Sequence, residues 1–416
     1  MTRYSAWKVL EQGLAGQTGW TPAWRHPDPK PAYDVLILGA GGHGLSAAYH
    51  LAERYGLRNV AVIEKGWLGG GNTGRNTTVV RSNYYYPESA ALYDLALRMY
   101  EGLSKELNYN IMLSQRGMLE IAHSPAEMEL YGRMANAMRI NGIDMELLDP
   151  DDVRRLVPII NPDDRIRYPN CGGMFQPRAG IARHDAVAWG YARAADQRGV
   201  DIIQNCEVTG ISMAGGRVTG VETTRGKIGA GRIGLALAGN TSHIASMVGL
   251  ELPLQSYTLQ AMVSEPLKPM LHTVAASLGI GAYVSQSDKG ELVMGGGLDR
   301  APSYMQRGNF PMTQNVVAAM LELFPSFGSL KIMRQWGGIV DVSPDSSPIL
   351  GPTPVDGLYI NCGWGTGGFK AIPSGGLMLA HALATGGHHE LSKPFDYNRF
   401  ARSRLVDEAA GAGIAH

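Results

Sequence analysis

The pattern of apolar and polar positions is the same near both ends of the chain. Val35 to Leu38 is an apolar run that meets a glycine turn and then a helical pattern ending near Gly56. A second apolar run follows at 59–63, so this stretch predicts a strand, a helix and a parallel second strand. Near the C-terminus, the order of strand, glycine turn and helix returns in LYINCGWGTGGFKAIPSGGLMLAHALA. Both ends are therefore predicted to join one α/β sheet.

The middle of the chain mixes strands and helices. Residues 251–300 alternate as antiparallel strands, and 331–342 is again strand-like. The other predicted strands are 117–123, 201–205, 207–213, 216–224 and 232–239. The predicted helices are 87–107, 125–141, 149–156, 184–200 and 312–324. The strand at 232–239 ends at a glycine and is predicted to join the first sheet.

These patterns predict an α/β protein with a Rossmann-like cofactor-binding domain and an inserted α+β substrate domain that contains an antiparallel sheet. The cofactor domain is predicted to be discontinuous, at 33–85, 150–250 and 336–395. The substrate domain is predicted at 86–149 and 251–335. An N-terminal arm (1–32) and a C-terminal tail (396–416) complete the division. The arm carries Trp7, Trp20 and Trp24, and we expect it to cover the body of the protein rather than a partner.

Charge and cysteine content narrow the class of protein. Lys plus Arg and Asp plus Glu number 37 each, so no net field favours nucleic acid or an anionic membrane. Cys171, Cys206 and Cys362 are scattered, with neither zinc spacing nor a disulfide framework, and we expect no metal site. No signal-peptide pattern is present, and no apolar run reaches the ~18 residues that span a bilayer. A soluble, cytoplasmic enzyme is the expected class.

Three glycines at the end of the first strand carry the first chemical signal. Gly39, Gly41 and Gly44 form GxGxxG at the start of a helix. The first allows a tight turn, the second lets the backbone approach a pyrophosphate, and the third allows close packing of helix on strand. Glu64 ends the second strand, near the ~20-residue offset of an acid that binds ribose. This order favours dinucleotide binding over a plain glycine turn.

Two further glycine loops favour a long ligand such as FAD over NAD. The loop at 69–77, with Arg75 inside it and Arg81 beyond, offers amide and guanidinium donors for a second phosphate and a flavin edge. The loop GWGTGGFK at 363–370 precedes another helix and offers amide donors. The alternative is that both loops are only tight turns.

Several segments resemble a known family. The first glycine motif, GRNTTVVRSNY, LALAGNTS and CGWGTGGFK are similar to the glycine, sarcosine and D-amino-acid oxidase family of FAD-dependent oxidoreductases. FQPRAGIARHD and NCEVTG resemble, more specifically, the beta subunits of heterotetrameric sarcosine oxidases. The resemblance runs from about residue 30 to the C-terminus and implies a GR2-type FAD-binding domain.

The resemblance implies roles for individual residues. Arg81 and Lys370 match the family's two cations that bind the substrate carboxylate, although Arg81 in isolation also suits a surface salt bridge. Two fixed cations would hold a short zwitterion such as sarcosine with its N-methyl group towards the flavin. The predicted FAD-binding residues are Gly39, Gly41, Gly42, His43, Gly44, Glu64, Lys65, Gly71, Asn72, Thr73, Arg75, Thr77, Thr78, Val208, Gly239, Gly363, Gly365, Gly368 and Lys370.

A second flavin is implied at His184. The sequence alone suits a capping or core histidine there, whereas the matching histidine of the beta subunits carries FMN covalently. An imidazole nitrogen is a competent nucleophile towards the flavin 8-methyl carbon. Arg183, where many relatives have lysine, is expected to bind FMN and to stabilise developing superoxide. Val293 stands where single-subunit sarcosine oxidases carry a lysine above the flavin, so oxygen is expected to react elsewhere.

The resemblance implies a complete reaction and a set of partners. Sarcosine is oxidised at noncovalent FAD, electrons pass to FMN and then to O2, and H2O2, glycine and a one-carbon unit (formaldehyde or methylenetetrahydrofolate) are released. Alpha, gamma and delta subunits are implied, with NAD and zinc expected only in those partners. Two alternatives stay open: a single-flavin amino-acid oxidase or dehydrogenase, and a noncatalytic scaffold that holds FAD.

Overall fold

A computed structural model describes residues 5–18, 22–299 and 301–406. The α-helices within these ranges are α1 (Ala6–Leu14), α2 (Gly42–Arg54), α3 (Pro87–Glu106), α4 (Pro125–Ile140), α5 (Pro150–Leu156), α6 (His184–Asp196), α7 (Thr241–Ser246), α8 (Phe310–Leu323) and α9 (Ile372–Thr385). All five helices predicted between the two glycine-rich ends are present, within a few residues of the expected bounds. The Asp-Pro start predicted for α5 is confirmed, because the Asp149 carboxylate accepts the Asp152 N–H at 2.8 Å and caps the helix.

The strands carry most of the topology. They are β1 (Val35–Leu38), β2 (Val60–Ile63), β3 (Val79–Val80), β4 (Ser114–Gln115), β5 (Met118–Ile121), β6 (Glu146–Leu148), β7 (Gly173–Gln176), β8 (Gly180–Ile181), β9 (Asp201–Ile203), β10 (Val208–Ala214), β11 (Arg217–Thr223), β12 (Gly226–Gly229), β13 (Ile233–Leu235), β14 (Gln255–Pro266), β15 (Val274–Ser277), β16 (Ala282–Gln286), β17 (Glu291–Leu298), β18 (Ile332–Val342), β19 (Ile349–Pro352) and β20 (Leu358–Cys362). They form four sheets.

The largest parallel sheet is built from both ends of the chain. Its order is β19, β20, β13, β1, β2, β9, and every neighbouring pair is parallel except β19 with β20. All four side chains of β1 are buried, as an uninterrupted apolar run predicts. Because β13 lies between β1 and β20, the expected return of this segment to the first sheet is confirmed.

Layers on both faces bury this sheet. On one face, α2 packs against α6 and α9, and their small residues share a core with Val35, Ile37 and Val60. On the other face, the antiparallel sheet β10–β11–β12 contributes Val218, Val221 and Ile228 to a second core. The predicted α/β architecture of the cofactor-binding part is therefore confirmed.

The second large sheet has eight strands in the order β18, β14, β17, β16, β15, β5, β7, β6. Its neighbours are antiparallel except β15 with β5, so the predicted antiparallel sheet is confirmed. Helices α5 and α8 pack on it through residues such as Val153 and Val316. The strand β7 lies in this sheet although the boundaries above assign it to the cofactor domain, and β18 crosses the boundary at 335. The domain division as a whole stays a prediction.

The two ends of the chain behave differently. In the arm, α1 buries no residue and Trp7 is 74% exposed, whereas Trp24 packs against the core beside α6. Trp20 lies outside the described residues, so the expectation that the arm covers the body holds for Trp24 and is wrong for Trp7. At the other end, the buried Arg399 guanidinium pairs with the Asp345 carboxylate at 2.8 Å and fixes the first part of the tail. The tail beyond residue 406 is not described.

Candidate active site

A cavity of about 1590 Å³ lies between the two large sheets. It begins at the carboxyl ends of β1 and β2, where ligands bind in open α/β sheets. It continues past the loop at 71–79 and the closing glycine loop to the inner strands of the eight-stranded sheet. Such a long, largely apolar space with a few charged groups is typical of a cofactor together with its substrate.

The first glycine loop presents its backbone to the cavity. Gly39 has φ 104°, which favours glycine, and Gly41 caps α2. The nearest atom to a Cβ at Gly41 would be Thr73 Oγ1 at 3.2 Å, so a side chain there would project into the cavity. The Gly42 N–H donates to the same hydroxyl at 3.0 Å. The bare backbone at the start of α2 fits the pyrophosphate of FAD.

Glu64 stands at the end of β2 and lines the cavity. Its carboxylate accepts the N–H of Ala40 at 3.0 Å and that of Gly66 at 2.9 Å. It therefore fixes the glycine loop in addition to facing the predicted ribose position. Lys65 lies at the rim, is 74% exposed in its side chain, and pairs with Glu207 at 3.1 Å.

The loop at 71–78 is held by its own polar side chains. The Asn72 amide accepts the Ile339 N–H at 2.9 Å and donates to its carbonyl oxygen. The Arg75 guanidinium donates to the carbonyl oxygens of Gly70 and, at 2.9 Å, Gly71, so it closes this loop rather than presenting all its donors to a phosphate. Thr77 Oγ1 lies 2.7 Å from the Tyr283 hydroxyl and ties the loop to the other sheet.

The closing glycine loop is linked to the first one. His43 Nε2 lies 2.7 Å from the Gly368 carbonyl oxygen, and its ring lies 4.8 Å from that of Trp364. Burial lowers the pKa of His43 to about 4, so the ring is neutral at physiological pH. Asp341, which accepts the Gly363 N–H, has a pKa raised by burial to about 7.

Two buried cations stand at the far end of the cavity. Arg81 is 8% exposed, donates to Asn83 Oδ1 at 2.7 Å, and lies 4.8 Å from the Tyr84 ring centroid. Lys370 is 7% exposed and donates to the Thr366 carbonyl oxygen at 2.9 Å. Burial, reinforced by Arg81, lowers the pKa of Lys370 well below its usual value. These positions exclude the surface salt bridge considered for Arg81.

Glu120 joins this end of the cavity and was missed by the sequence reasoning. It is 5% exposed, and burial raises its pKa to about 7 against the opposing effect of Arg81 and Lys370. A signal was available in the predicted strand at 117–123, where Glu120 alternates onto the same face as Met118. A carboxylate on the apolar face of a strand requires an explanation, because burying a charge costs free energy.

Most predicted residues share this cavity, and five do not line it. Those that line it are Gly39, Gly41, Gly42, His43, Glu64, Lys65, Gly71, Asn72, Thr73, Arg75, Thr77, Thr78, Arg81, Val208, Gly365, Gly368 and Lys370. Those outside it are Gly44, Gly239, Gly363, Arg183 and His184. A Cβ at Gly44 would overlap the Gly39 carbonyl oxygen, and one at Gly239 would overlap Ile339, so both glycines allow close packing. Val293 is also outside the cavity.

His184 and Arg183 follow a segment that is hydrogen-bonded to the cavity lining. The Ala182 N–H donates to the Thr78 carbonyl oxygen at 3.0 Å, and Thr78 lines the cavity. His184 begins α6, its Nδ1 is buried with no hydrogen-bond partner among the described residues, and burial lowers its pKa. The Arg183 guanidinium pairs with the Asp185 carboxylate at 2.7 Å, and this hydrogen bond raises the arginine pKa.

Comparison with known proteins decides the family. Residues 34–382 match the family described as FAD dependent oxidoreductase. Sarcosine oxidase subunit beta of Rhodobacter capsulatus is 50% identical over 416 residues, which cover 100% of both chains. The chain belongs to the sarcosine oxidase beta-subunit family. A second member, from Rhizobium meliloti, is 52% identical over 98% of this chain and 97% of its own.

Membership confirms the predicted family and enzyme class: the chain is an FAD-dependent oxidoreductase of the sarcosine oxidase type. The fold agrees as well. The crystal structure of L-proline dehydrogenase from P. horikoshii matches with a TM-score of 0.84 at 25% identity, over 91% of this chain and 100% of that one. The subunit name of the relatives implies an assembly of several chains. Among the described residues, no helix is long and apolar enough to cross a membrane.

Proposed function

We propose that this chain oxidises sarcosine at noncovalent FAD as the catalytic subunit of a heterotetramer. The observation that carries the proposal is the pair of buried cations, Arg81 and Lys370, at the end of a cavity that starts at a dinucleotide-binding loop. A cation buried in protein needs a counter-charge, and the carboxylate of a small amino acid supplies one. The names of the 50–52% identical relatives support sarcosine as that acid.

In this proposal the chain's own groups bind and orient the substrate. FAD, when bound, supplies the two-electron acceptor. Arg81 and Lys370 hold the carboxylate, and the low exposure of this end excludes water and strengthens both charge pairs. The products are glycine and a one-carbon unit, formaldehyde or methylenetetrahydrofolate.

We also propose that His184 carries FMN covalently and that electrons pass from FAD to FMN and then to O2, giving H2O2. Its buried Nδ1, which has no protein partner among the described residues, supports a bond to another group through this imidazole. The hydrogen bond from Ala182 to Thr78 ties the segment before His184 to the cavity lining, which supports electron transfer between two flavins in this part of the fold. Arg183 would supply positive charge beside FMN, although its pairing with Asp185 reduces that field.

The proposal extends to the assembly and its location. Alpha, gamma and delta subunits would complete the enzyme, with NAD and zinc bound by those partners. A cytoplasmic location is supported by the absence of a disulfide among the three cysteines, all of which are described and free.

The test separates the two flavins. Protein purified with its partners is digested with trypsin, and the peptide that contains His184 is expected to be heavier by one FMN. His184→Ala should keep FAD and still allow sarcosine to bleach it anaerobically, while oxygen consumption falls sharply. The control is His272→Ala, at an exposed position.

Other outcomes favour the alternatives. An unmodified His184 peptide, with FAD still bleached by sarcosine and turnover intact, would indicate a single-flavin oxidase or dehydrogenase. FAD that is bound but reduced by neither sarcosine nor a related N-methyl amino acid would indicate a noncatalytic scaffold and overturn the proposal.

A further inference from the structure

Glu120 occupies a central position in the eight-stranded sheet. Its strand, β5, lies between β15 and β7, and Glu120 is opposite Ala276 in one and Met174 in the other. A residue in the interior of a sheet has little backbone freedom, so the side chain is fixed towards the cavity that it lines. Glu120 is therefore a rigid element at the charged end.

The Oε2 atom of Glu120 is buried and has no hydrogen-bond partner in the part of the chain that the structure describes. The nearby cations do not satisfy it directly: Arg81 donates to Asn83, and Lys370 donates to Thr366. Buried carboxylates without donors are rare, because each costs a substantial desolvation free energy. A ligand with an N–H or O–H group would supply this partner.

The charged and titratable groups around Glu120 come from three other elements. Arg81 follows β3, Lys370 precedes α9, and Tyr131 belongs to α4. The two cations favour the ionised form of the carboxylate and burial opposes it. Burial, helped by Glu120, raises the pKa of Tyr131 far above its usual range, so this phenol stays neutral. The pKa of Glu120, raised to about 7, allows its protonation to change near neutral pH.

We propose that Glu120 binds the secondary ammonium group of the substrate and accepts its proton before oxidation. This inference rests on the proposed function, since it assumes an amino acid whose carboxylate lies on Arg81 and Lys370. In a short zwitterion the ammonium is adjacent to the carboxylate, which places it within reach of a group that feels both cations.

The proton transfer is balanced within the cluster. One N–H bond of the ammonium breaks, its electron pair stays on nitrogen, and the proton forms an O–H bond with the Glu120 carboxylate. The total charge of substrate, Glu120, Arg81 and Lys370 does not change. The step is needed because an ammonium has no lone pair, and the freed pair makes the amine oxidisable by the flavin.

Two other groups are less suited to this task. Lys370, whose pKa burial also lowers, already donates to the Thr366 carbonyl oxygen and is proposed to bind the substrate carboxylate. Asp341 lines the cavity, but its carboxylate already accepts the Gly363 N–H, which ties it to the closing glycine loop. Glu120 is buried, its pKa of about 7 allows it to accept a proton near neutral pH, and its Oε2 atom has no hydrogen-bond partner among the described residues.

The first experiment measures anaerobic FAD reduction by sarcosine between pH 6 and 10 in the complete enzyme. The parent rate should level off slightly above pH 7. Glu120→Gln should be slower by about 1000-fold at pH 7, within the range of a general base contribution, because only about one amine in a thousand is unprotonated roughly three pH units below its pKa. Its rate should rise about tenfold per pH unit towards the pKa of a free amine near 10. Glu127→Gln removes a neighbouring carboxylate that does not line the cavity, and it should keep the parent profile.

The second experiment separates amine recognition from a merely structural role. Methylthioacetate has the carboxylate and methyl group of sarcosine but no N–H, and its binding is followed by the flavin spectrum. Glu120→Gln should bind it within about threefold of the parent, while sarcosine binds more weakly. Equal weakening of both ligands would show that Glu120 only positions the cations, and it would overturn the inference.

The outcomes also separate the two proposals. A parent enzyme whose FAD sarcosine does not reduce would overturn the proposed function and this inference with it. A parent that is reduced, together with a Glu120→Gln variant of unchanged pH profile, would overturn the inference alone. If Glu120→Gln fails to retain FAD, Glu120→Asp replaces it. Its carboxylate should keep a plateau near neutral pH at a reduced rate, and a steady rise to pH 10 would contradict the assignment.

Discussion

The two ends of the cavity are built in opposite ways. The end at β1 is made of backbone: Gly39, Gly41 and the first turn of α2 present amide groups and empty space. The other end is made of charged side chains from three distant segments, with Arg81, Glu120 and Lys370 all at most 8% exposed. In the proposed function, the first end binds phosphate through its backbone amide groups, and the second end binds the substrate through buried charged side chains.

Because of this difference, we expect one end to determine how tightly FAD binds and the other to determine how fast the substrate reacts. A backbone site tolerates no added volume, and its donors are amide groups that do not titrate, although the Glu64 carboxylate helps to hold the loop. A buried charge cluster is sensitive to pH and to the loss of one member, because the remaining charges then lose their balance. Substitutions at the first end should therefore change FAD content, and substitutions at the second should change the rate at constant FAD.

The largest effect is expected for Gly44→Ala. The new Cβ would overlap the Gly39 carbonyl oxygen, so α2 must shift away from β1 and spoil the phosphate site. Purified protein should retain less than about a tenth of the parent FAD, measured by absorbance after gel filtration. Gly102→Ala is the matched control, since a Cβ there meets nothing within 4 Å. Full FAD content in Gly44→Ala would show that this contact is not required.

Lys370→Met comes next. Removal of a buried charged partner costs about 3 kcal/mol, so flavin reduction by sarcosine should slow by roughly 100-fold at fixed substrate concentration. FAD should stay bound, which distinguishes the two ends. Stopped-flow reduction measures the rate, and Lys227→Met, at an exposed position, is the control. Equal rates in all three proteins would remove Lys370 from the substrate site.

A pH effect on stability is predicted for Glu120→Gln. The pKa of Glu120 is raised from 4.5 to about 7 in the folded state, so the stability present below pH 4.5 is lost as pH rises through 7. The variant has no such loss and should be more stable than the parent by about 3 kcal/mol at pH 8, with little difference at pH 4.5. Urea unfolding at the two pH values checks this, and a constant difference would contradict a raised pKa.

Glu64→Gln should have the smallest effect. An amide retains one acceptor oxygen but loses the charge that faces two backbone N–H groups, so FAD affinity should fall by roughly 1.5 to 3 kcal/mol. Fluorescence titration of the FAD-depleted protein measures it. Glu222→Gln, at an exposed position that does not line the cavity, should change the affinity little. A loss as large in this control would assign the effect to general charge rather than to Glu64.

The same contrast explains what the sequence could predict. Gly39, Gly41 and Gly44 can be predicted from the sequence, because their spacing within one strand, turn and helix is enough to define the motif. Most helices and strands were also predictable, because the periodicity of apolar residues is a local property of the sequence. Arg81 and Lys370 were predicted as substrate-binding residues from family resemblance, because their separation along the chain does not show that they are close in the fold.

Other features required the fold itself. The proposed role of Glu120 depends on the position of β5, which pairs with β15 across more than 150 residues of chain. Arg75 was expected to offer donors to a phosphate, but the loop carbonyl oxygens take part of its hydrogen-bonding capacity. The assignment of β7 to the second sheet likewise comes from long-range pairing, which no local pattern encodes.

The order of strands in the parallel sheet has a consequence for synthesis on the ribosome. One edge of β13 pairs with β1. Its other edge pairs with β20, which ends at Cys362 and is therefore synthesised much later. Until that segment emerges, the nascent chain carries an apolar strand with open hydrogen-bonding groups on one side, a form that invites aggregation. We therefore expect the late C-terminal segment to be the step that commits the whole chain to its native topology, and chains cut short before Leu358 to depend on chaperones.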